Sequence, residues 1–215
     1  MAESERAMAS KRVIGRALEQ LSQFCEQQGW DYCLIGGLAA SYWGEPRFTK
    51  DVDFVVFTGF GDEADFISKL AQAFELRMPD AAEFALLSRV LILNSPDGVA
   101  LDVSFGAIDF EGSVISRAKL RAVMRGVKVP TATAEDIVVM KAIAGRPQDV
   151  KDIEGIIAAQ GKKLDLTYIR HWLENLAEML PEVDVLGRFE EIFHSVNTRM
   201  KNSPKPTKPR KKSDE

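Results

Sequence analysis

The chain has 215 residues, of which 46% are hydrophobic, so it can bury the core of one large domain or two small ones. No stretch approaches eighteen consecutive apolar residues, so the sequence predicts no membrane span. The charged N-terminus favours a helix over a secretory signal. Cys25 and Cys33 match no common metal motif, and we expect both to be free thiols in a reducing cytoplasm.

The formal net charge of −4 is unevenly distributed. Residues 201–215, "KNSPKPTKPRKKSDE", carry six Lys/Arg and two acids, whereas the other 200 residues carry 22 bases and 30 acids. Several prolines and no large apolar residue predict a disordered basic tail. Such a tail serves either loose attraction to nucleic acid or solubility. The acidic body argues against a protein that simply coats nucleic acid.

Residues 1–130 are predicted to form a mixed α/β domain that includes an N-terminal helix. Apolar residues at helical spacing, short apolar runs and Gly/Pro breaks mark its elements. We predict helices at 11–28, 37–43, 62–76 and 108–118, strands at 32–36, 51–57, 84–93 and 99–105, and a strand or hairpin at 119–130, with 84–93 and 99–105 pairing as a hairpin around "NSPDG".

Residues 131–200 read as helix only. "TAED" at 133–136 is a capping box that opens a helix over 134–144, and Gly145 ends it. Further helices are predicted at 147–160, 166–180 and 182–197. The fold class is therefore α+β: a small mixed sheet with flanking helices, followed by a C-terminal helical bundle.

The strand "DVDFVVF" places two carboxylates on one face. Residues i and i+2 of a strand point to the same side, so Asp51 and Asp53 are neighbours, while Val52 and Phe54 face the other way. Close carboxylates repel, and a divalent cation such as Mg²⁺ relieves that repulsion. The alternative is two solvated acids at the start of an edge strand.

Two further motifs favour the metal interpretation. "LDV" at 101–103 also points one acid outward, and if it lies beside 51–57, Asp102 completes a three-carboxylate cluster able to hold two metals for displacement at phosphorus. Gly36-Gly37 precedes a helix, and such a turn can bind phosphates through backbone N–H groups. A plain strand-to-helix turn is the alternative for the glycines.

Together these motifs resemble the DNA polymerase β-like nucleotidyltransferase superfamily: a Gly-Gly turn, a helix, D-h-D, and a later h-D-h strand. Within it, "LIGGLAA…RFTKDVDFVV" and "TAEDIVVMKAIAGRPQDVKDIEGI" are similar to the AbiEii-type branch, the toxins of certain bacterial abortive-infection and toxin–antitoxin systems. The resemblance covers roughly residues 30–160. It implies a nucleotidyltransferase fold and Mg²⁺-dependent transfer of a nucleoside monophosphate from an NTP. Gly37 stands where many members have serine.

The resemblance also implies roles for single residues. Gly36 and Gly37 would contact the triphosphate, and Asp51 and Asp53 would bind both metals. Asp102 would bind the catalytic metal and act as, or assist, the base that deprotonates the acceptor hydroxyl.

Basic residues and a second pair of aspartates complete the implied site. Arg47 and Thr49 would contact phosphate, or else be an exposed base and a turn-stabilising hydroxyl. Lys141 would contact phosphate, or snorkel from an apolar helix. Asp149 and Asp152 would form an active-site wall that orients Lys141, the nucleotide-binding Arg146, and the nucleotide or acceptor, or else be an ordinary solvated helix face.

The acceptor is left open by the sequence. An RNA such as a tRNA 3′ end, a protein hydroxyl and an aminoglycoside-like small molecule all fit, and an antitoxin partner is implied by the AbiEii likeness. A non-catalytic nucleotide-binding or regulatory module is the alternative to an enzyme.

Overall fold

The computed structural model describes residues 2–202, with side chains described from residue 9 onward. Most of the predicted basic tail, residues 203–215, therefore lies outside the described residues. Within the described part, no helix is long and apolar enough to cross a membrane. The helices are α1 Ala2–Gln28, α2 Gly36–Trp43, α3 Glu63–Ala73, α4 Ala81–Ser88, α5 Asp109–Arg117, α6 Ala134–Ala144, α7 Pro147–Gln160, α8 Leu166–Ala177 and α9 Val185–Asn202. The strands are β1 Tyr32–Leu34, β2 Asp51–Phe57, β3 Glu75–Leu76, β4 Val90–Asn94, β5 Ala100–Gly106, β6 Lys119–Met124 and β7 Val127–Thr131.

These strands form one mixed sheet in the order β3-β4-β5-β2-β1-β7-β6. β2 pairs in parallel with β5, and β1 pairs in parallel with β7, while the other neighbours are antiparallel. The predicted mixed sheet with flanking helices is confirmed, as are the hairpins β4–β5 and β6–β7.

The two faces of the sheet have different coverings. On one face Phe54 stacks on Tyr32 with ring centroids 5.3 Å apart. The Tyr32 hydroxyl reaches α1, where it shares a 2.5 Å hydrogen bond with Ser22 and donates to Glu26 at 3.0 Å. α1 therefore covers the face that carries Phe54. Because side chains alternate along β2, Asp51 and Asp53 lie on the opposite face.

The predicted strand over 84–93 is wrong in its first half, where residues 81–88 form α4 and only 90–94 pair in the sheet. A continuous apolar run does not distinguish a helix from a buried strand. Here Ala81 and Ala85 supply a narrow buried face, and Arg89 ends the helix in the left-handed region at φ 60°.

Other element boundaries also differ from the predictions. The helix predicted over 62–76 ends at Ala73, because Glu75 and Leu76 pair with β4 as the short strand β3. The last two helices extend over 166–177 and 185–202, rather than 166–180 and 182–197.

The helical half begins as its capping box predicts. Asp136 accepts a hydrogen bond from the Thr133 backbone N–H at 3.0 Å, and Thr133 Oγ1 accepts one from Asp136 N–H at 3.3 Å. At the other end of α6, Gly145 adopts φ 62° and Arg188 of α9 donates to the carbonyl of Ala142 at 2.5 Å. α6 therefore begins and ends where the sequence predicts.

A close backbone approach joins the two halves of the chain beside the aspartate face. A Cβ on Gly44, just after α2, would lie 2.8 Å from the backbone N of Ile156 in α7, and a Cβ on Gly155 would lie 3.1 Å from the backbone N of Glu45. Trp43 adds a hydrogen bond from its indole N–H to the carbonyl of Ala132 at 2.8 Å. These contacts hold the loop 44–50 against α7.

We expect Gly44→Ala to destabilise the protein by about 1–3 kcal/mol, because the new methyl group would overlap a helix backbone that cannot move aside easily. Thermal unfolding followed by circular dichroism measures the change. Gly112→Ala, within α5, is the control. Its Cβ would lie 3.5 Å from the Phe57 ring, an ordinary contact, and alanine has a higher helix propensity than glycine. Equal stability of the two variants would contradict the close approach.

Candidate active site

The predicted pairing of the two aspartate-bearing strands is confirmed. Asp53 of β2 is the register partner of Asp102 of β5, and Asp51 is the partner of Ala100. Register partners on neighbouring strands point to the same face about 5 Å apart. Asp51, Asp53 and Asp102 therefore share one face of the sheet, at the start of β2 and β5.

Asp53 is the most enclosed of the three carboxylates. Its Oδ2 accepts a hydrogen bond of 3.3 Å from the backbone N–H of Gly37 at the start of α2. Burial, opposed by this hydrogen bond and assisted by the nearby charges of Asp102 and Asp51, raises the pKa of Asp53 to about 6. The carboxylate therefore sits where negative charge is poorly compensated, as a cation-binding group would.

The Gly-Gly turn fits tightly around Asp53. Gly36 adopts φ 64°, and a Cβ there would lie 2.1 Å from Asp53 Oδ2. A Cβ on Gly37 would lie 2.8 Å from Thr49 Oγ1 and 3.2 Å from an Arg47 guanidinium nitrogen. Neither glycine therefore has room for a side chain. The Thr49 hydroxyl occupies the space that a side chain on Gly37 would need.

A buried ion-pair cluster lies beside this turn. Arg47 donates two hydrogen bonds to Asp152, at 2.7 and 2.8 Å. Lys141 Nζ lies 2.7 Å from Asp149 and 3.0 Å from Asp152. Arg146, whose side chain is largely exposed, donates to Asp149 at 2.7 Å. The sequence predicted these five residues for one site, and the structure brings all of them together.

Charge in this cluster is nearly balanced, with three cations facing two carboxylates. Although burial opposes the effect, hydrogen bonds from Arg146 and Lys141 lower the pKa of Asp149. Burial also opposes the shift at Asp152, but hydrogen bonds from Arg47, Gln148 and Lys141 lower the pKa of that carboxyl. Both aspartates are therefore ionised partners that orient the cations. The solvated-face alternative for Asp149 and Asp152 is wrong, because both side chains are at least nine-tenths buried.

The carboxylates of Asp51, Asp53 and Asp102 suit a divalent cation in chemistry but do not converge. Among the described side chains, no group of three His, Cys, Asp or Glu residues is arranged to hold a metal ion. Asp53 is turned to Gly37, and Asp102 accepts a hydrogen bond from Arg77. The donor set fits Mg²⁺, since all three are hard oxygen ligands on one face, and among the described residues Asp53 forms a hydrogen bond with Gly37 but no ion pair.

Arg77 and Gln148 are contacts that the sequence did not predict. Arg77 follows the two-residue strand β3, where the sequence predicts the end of a helix instead. Gln148 donates to Asp152 at 3.0 Å from the preceding turn of α7. The i, i+4 spacing of Gln148 and Asp152 is the one signal that would have identified either residue.

We expect Gly36→Ala to lose more stability than Gly59→Ala. The two glycines have nearly equal φ, 64° and 67°, so both variants carry the same left-handed strain of about 1 kcal/mol. Only Gly36→Ala adds an overlap with Asp53, which we expect to cost roughly a further 1–3 kcal/mol. Gly59→Ala adds no overlap, because nothing lies within 4 Å of a Cβ on Gly59. Chemical denaturation of both variants measures the difference. Equal losses would mean that the Asp53 carboxylate moves aside freely.

We expect Lys141→Met to destabilise the protein by about 3 kcal/mol, because it leaves Asp149 and Asp152 buried with less positive charge. Denaturant titration measures the change. Lys69→Met is the matched control: it breaks an exposed ion pair with Asp65 and should cost under about 1 kcal/mol. If both lysine variants lost the same stability, the cluster would be no stronger than a surface pair.

A family model and several solved structures are similar to this chain. Residues 14–191 match the family model described as "Nucleotidyltransferase of unknown function (DUF6036)". A search of curated proteins finds no significant match. Similar solved structures include the antibiotic-resistance factor ANT(2'')-Ia, with 12% identity, 90% of this chain and 94% of that chain covered, and a TM-score of 0.47. They also include JHP933 from Helicobacter pylori, with 12% identity, 92% and 93% covered, and a TM-score of 0.45.

A nucleotidyltransferase-like protein from Paracoccidioides brasiliensis is also similar, with 18% identity, 86% of this chain and 96% of that chain covered, and a TM-score of 0.41. The family match covers most of the chain, from α1 to α9, and so includes every predicted site residue. The chain therefore belongs to the DUF6036 family and is a nucleotidyltransferase.

Proposed function

We propose that the protein moves a nucleoside monophosphate from an NTP to an acceptor hydroxyl with release of pyrophosphate, using Mg²⁺ held by Asp51, Asp53 and Asp102. The observation that supports this most strongly is the register pairing of Asp53 with Asp102 on the face that also carries the Gly36-Gly37 turn.

The triphosphate would lie between the glycine turn and the ion-pair cluster. Because Asp53 packs closely against Gly36, no side chain fits there and the turn presents its backbone atoms to a ligand. The helix dipole at the start of α2 would favour a bound anion such as a phosphate. Arg47, Lys141 and Arg146 all contribute charge near Asp53. Asp149 and Asp152 would keep these cations oriented when phosphate oxygens approach them.

Asp102 would act on the acceptor. The acceptor oxygen forms its bond to the α-phosphorus and passes its proton to Asp102, directly or with assistance. The bond from the α-phosphorus to the α,β-bridging oxygen breaks, and its electron pair leaves on pyrophosphate. Two Mg²⁺ ions, when bound, would supply positive charge to the phosphate oxygens and to the attacking oxygen.

The finer assignment follows the resemblance found in the sequence. Our first proposal is an AbiEii-type role, as the enzyme of a bacterial toxin-antitoxin system. Its acceptor would be an RNA, such as a tRNA 3′ end, or a protein, and its partner would be an antitoxin. The acidic body of the chain would also suit an aminoglycoside-like acceptor. A non-catalytic nucleotide-binding module is disfavoured, because Asp53 is a buried acid that, among the described residues, forms no ion pair and accepts one hydrogen bond, from Gly37.

We expect Asp53→Asn to lower nucleotidyl transfer at least 100-fold while the protein stays folded, because the variant loses a metal-binding charge. The assay incubates the protein with Mg²⁺ and each α-³²P-labelled NTP, with total bacterial RNA, protein lysate or an aminoglycoside as acceptor. Asp97→Asn is the control, since Asp97 lies in an exposed turn and pairs with Arg16.

Calorimetry with Mg²⁺ and each NTP separates binding from turnover. Tight NTP binding by the parent without any labelled product would support the non-catalytic alternative. Transfer by Asp53→Asn at the parent's rate would exclude the proposed mechanism.

A further inference from the structure

Arg77 lies in one row with the two paired aspartates. Its backbone N–H donates to the carbonyl of Ile92 at 3.2 Å, which continues the β3–β4 ladder by one residue. Ile92 is the register partner of Asp102, which is the partner of Asp53. Neighbours in a row point to the same face of a sheet, so Arg77 belongs to the aspartate face at the edge of the sheet.

The guanidinium of Arg77 crosses Ile92 and donates to Asp102 Oδ1. Arg77 and Asp102 each keep about a third of their side chain exposed, 31% and 32%. Among the described residues, Asp102 is the one side-chain partner that Arg77 has. The group expected to hold a metal and receive a proton is therefore paired with a permanent cation in the free protein.

Arg77 also lies on the side of Asp102 away from the other cations. Arg47, Lys141, Arg146 and the glycine turn lie toward β1 and α2, whereas Arg77 lies two strands from Asp102 in the other direction. In phosphoryl transfer the attacking and leaving oxygens are roughly in line through the phosphorus. If pyrophosphate leaves toward the cluster of cations, an acceptor on the opposite side of the phosphorus would approach from the β4–β3 edge, where Arg77 lies.

Once Asp102 turns to a metal, Arg77 would lose its side-chain partner and could bind another anion. Glu75 lies one row away on the same face, but it is exposed, and a solvated carboxylate gains little from such a pair. A phosphate matches the planar fork of a guanidinium through two parallel hydrogen bonds.

We propose that Arg77 is the acceptor-binding residue: it exchanges Asp102 for a phosphate that lies next to the acceptor hydroxyl, as at the 3′ end of a nucleic acid. This inference rests on the proposed nucleotidyl transfer and names its acceptor chemistry. A polycationic acceptor would be repelled at the same position.

The first test measures Mn²⁺ binding to the whole protein without nucleotide, by electron paramagnetic resonance. Arg77→Gln should bind Mn²⁺ about two- to fivefold more tightly than the parent, because no guanidinium competes for Asp102. Arg16→Gln, which breaks another exposed Arg–Asp pair, should leave Mn²⁺ binding unchanged. Unchanged binding in Arg77→Gln would overturn the exchange.

The second test uses a synthetic tRNA acceptor-stem mimic with a free 3′ hydroxyl, whose last internucleotide linkage is either a phosphodiester or a neutral methylphosphonate. Arg77→Gln should raise the KM for the phosphodiester acceptor about tenfold and leave the KM for NTP unchanged, while Arg77→Lys restores part of the loss. On the methylphosphonate acceptor, Arg77→Gln and the parent should behave alike.

The outcomes separate the two levels of the proposal. Equal effects of Arg77→Gln on both acceptors, or a parent that labels an aminoglycoside or a protein but not the RNA, would overturn the acceptor assignment and leave nucleotidyl transfer standing. A parent that labels no acceptor at all would overturn the proposed function, and the acceptor assignment with it. Mn²⁺ binding would still report on the Arg77–Asp102 exchange.

Discussion

Asp53 and Asp102 lie side by side, and the surrounding structure must stabilise these two neighbouring carboxylates. Two parallel strands in register hold their carboxylates on one face, and neither strand can shift by one residue without turning its buried side chains to solvent. The repulsion is therefore built into the sheet. It is met on one side by the Gly37 N–H group at Asp53 and on the other by Arg77 at Asp102.

The helical half contributes a second, nearly balanced set of charges next to the first. Lys141 reaches Asp149 and Asp152 from α6, and both aspartates belong to α7. Arg47 joins them from the loop 44–50, which can approach α7 because Gly44 carries no side chain. A close approach of two backbones thereby fixes a guanidinium beside Asp53. The packing of Gly44 against α7 therefore sets the position of Arg47 in the ion-pair cluster.

Much of this site was predictable because its signals are local. The alternation of "DVDFVVF" predicts which residues face the core, and Gly36-Gly37 predicts a tight turn, since each depends on neighbours in sequence. α4 was missed because the apolar run from Phe84 to Leu93 has no period that separates helix from strand. Arg77 was missed because its role depends on β3, which is only two residues long and exists through pairing with β4. The local sequence predicts neither the β3–β4 pairing nor the alignment of Arg77 with Asp102 that results from it.

The charged groups on this face of the sheet follow a fixed order from one strand to the next. From β1 to β3 the order is the glycine turn, Asp53, Asp102 and Arg77, with Ile92 as the one apolar member between the last two. Permanent cations therefore stand at both ends of a pair of carboxylates. In the free protein Arg77 at the sheet edge relieves the repulsion at Asp102. On the proposed function, the same guanidinium would be released to an anionic acceptor that approaches Asp102 from that edge.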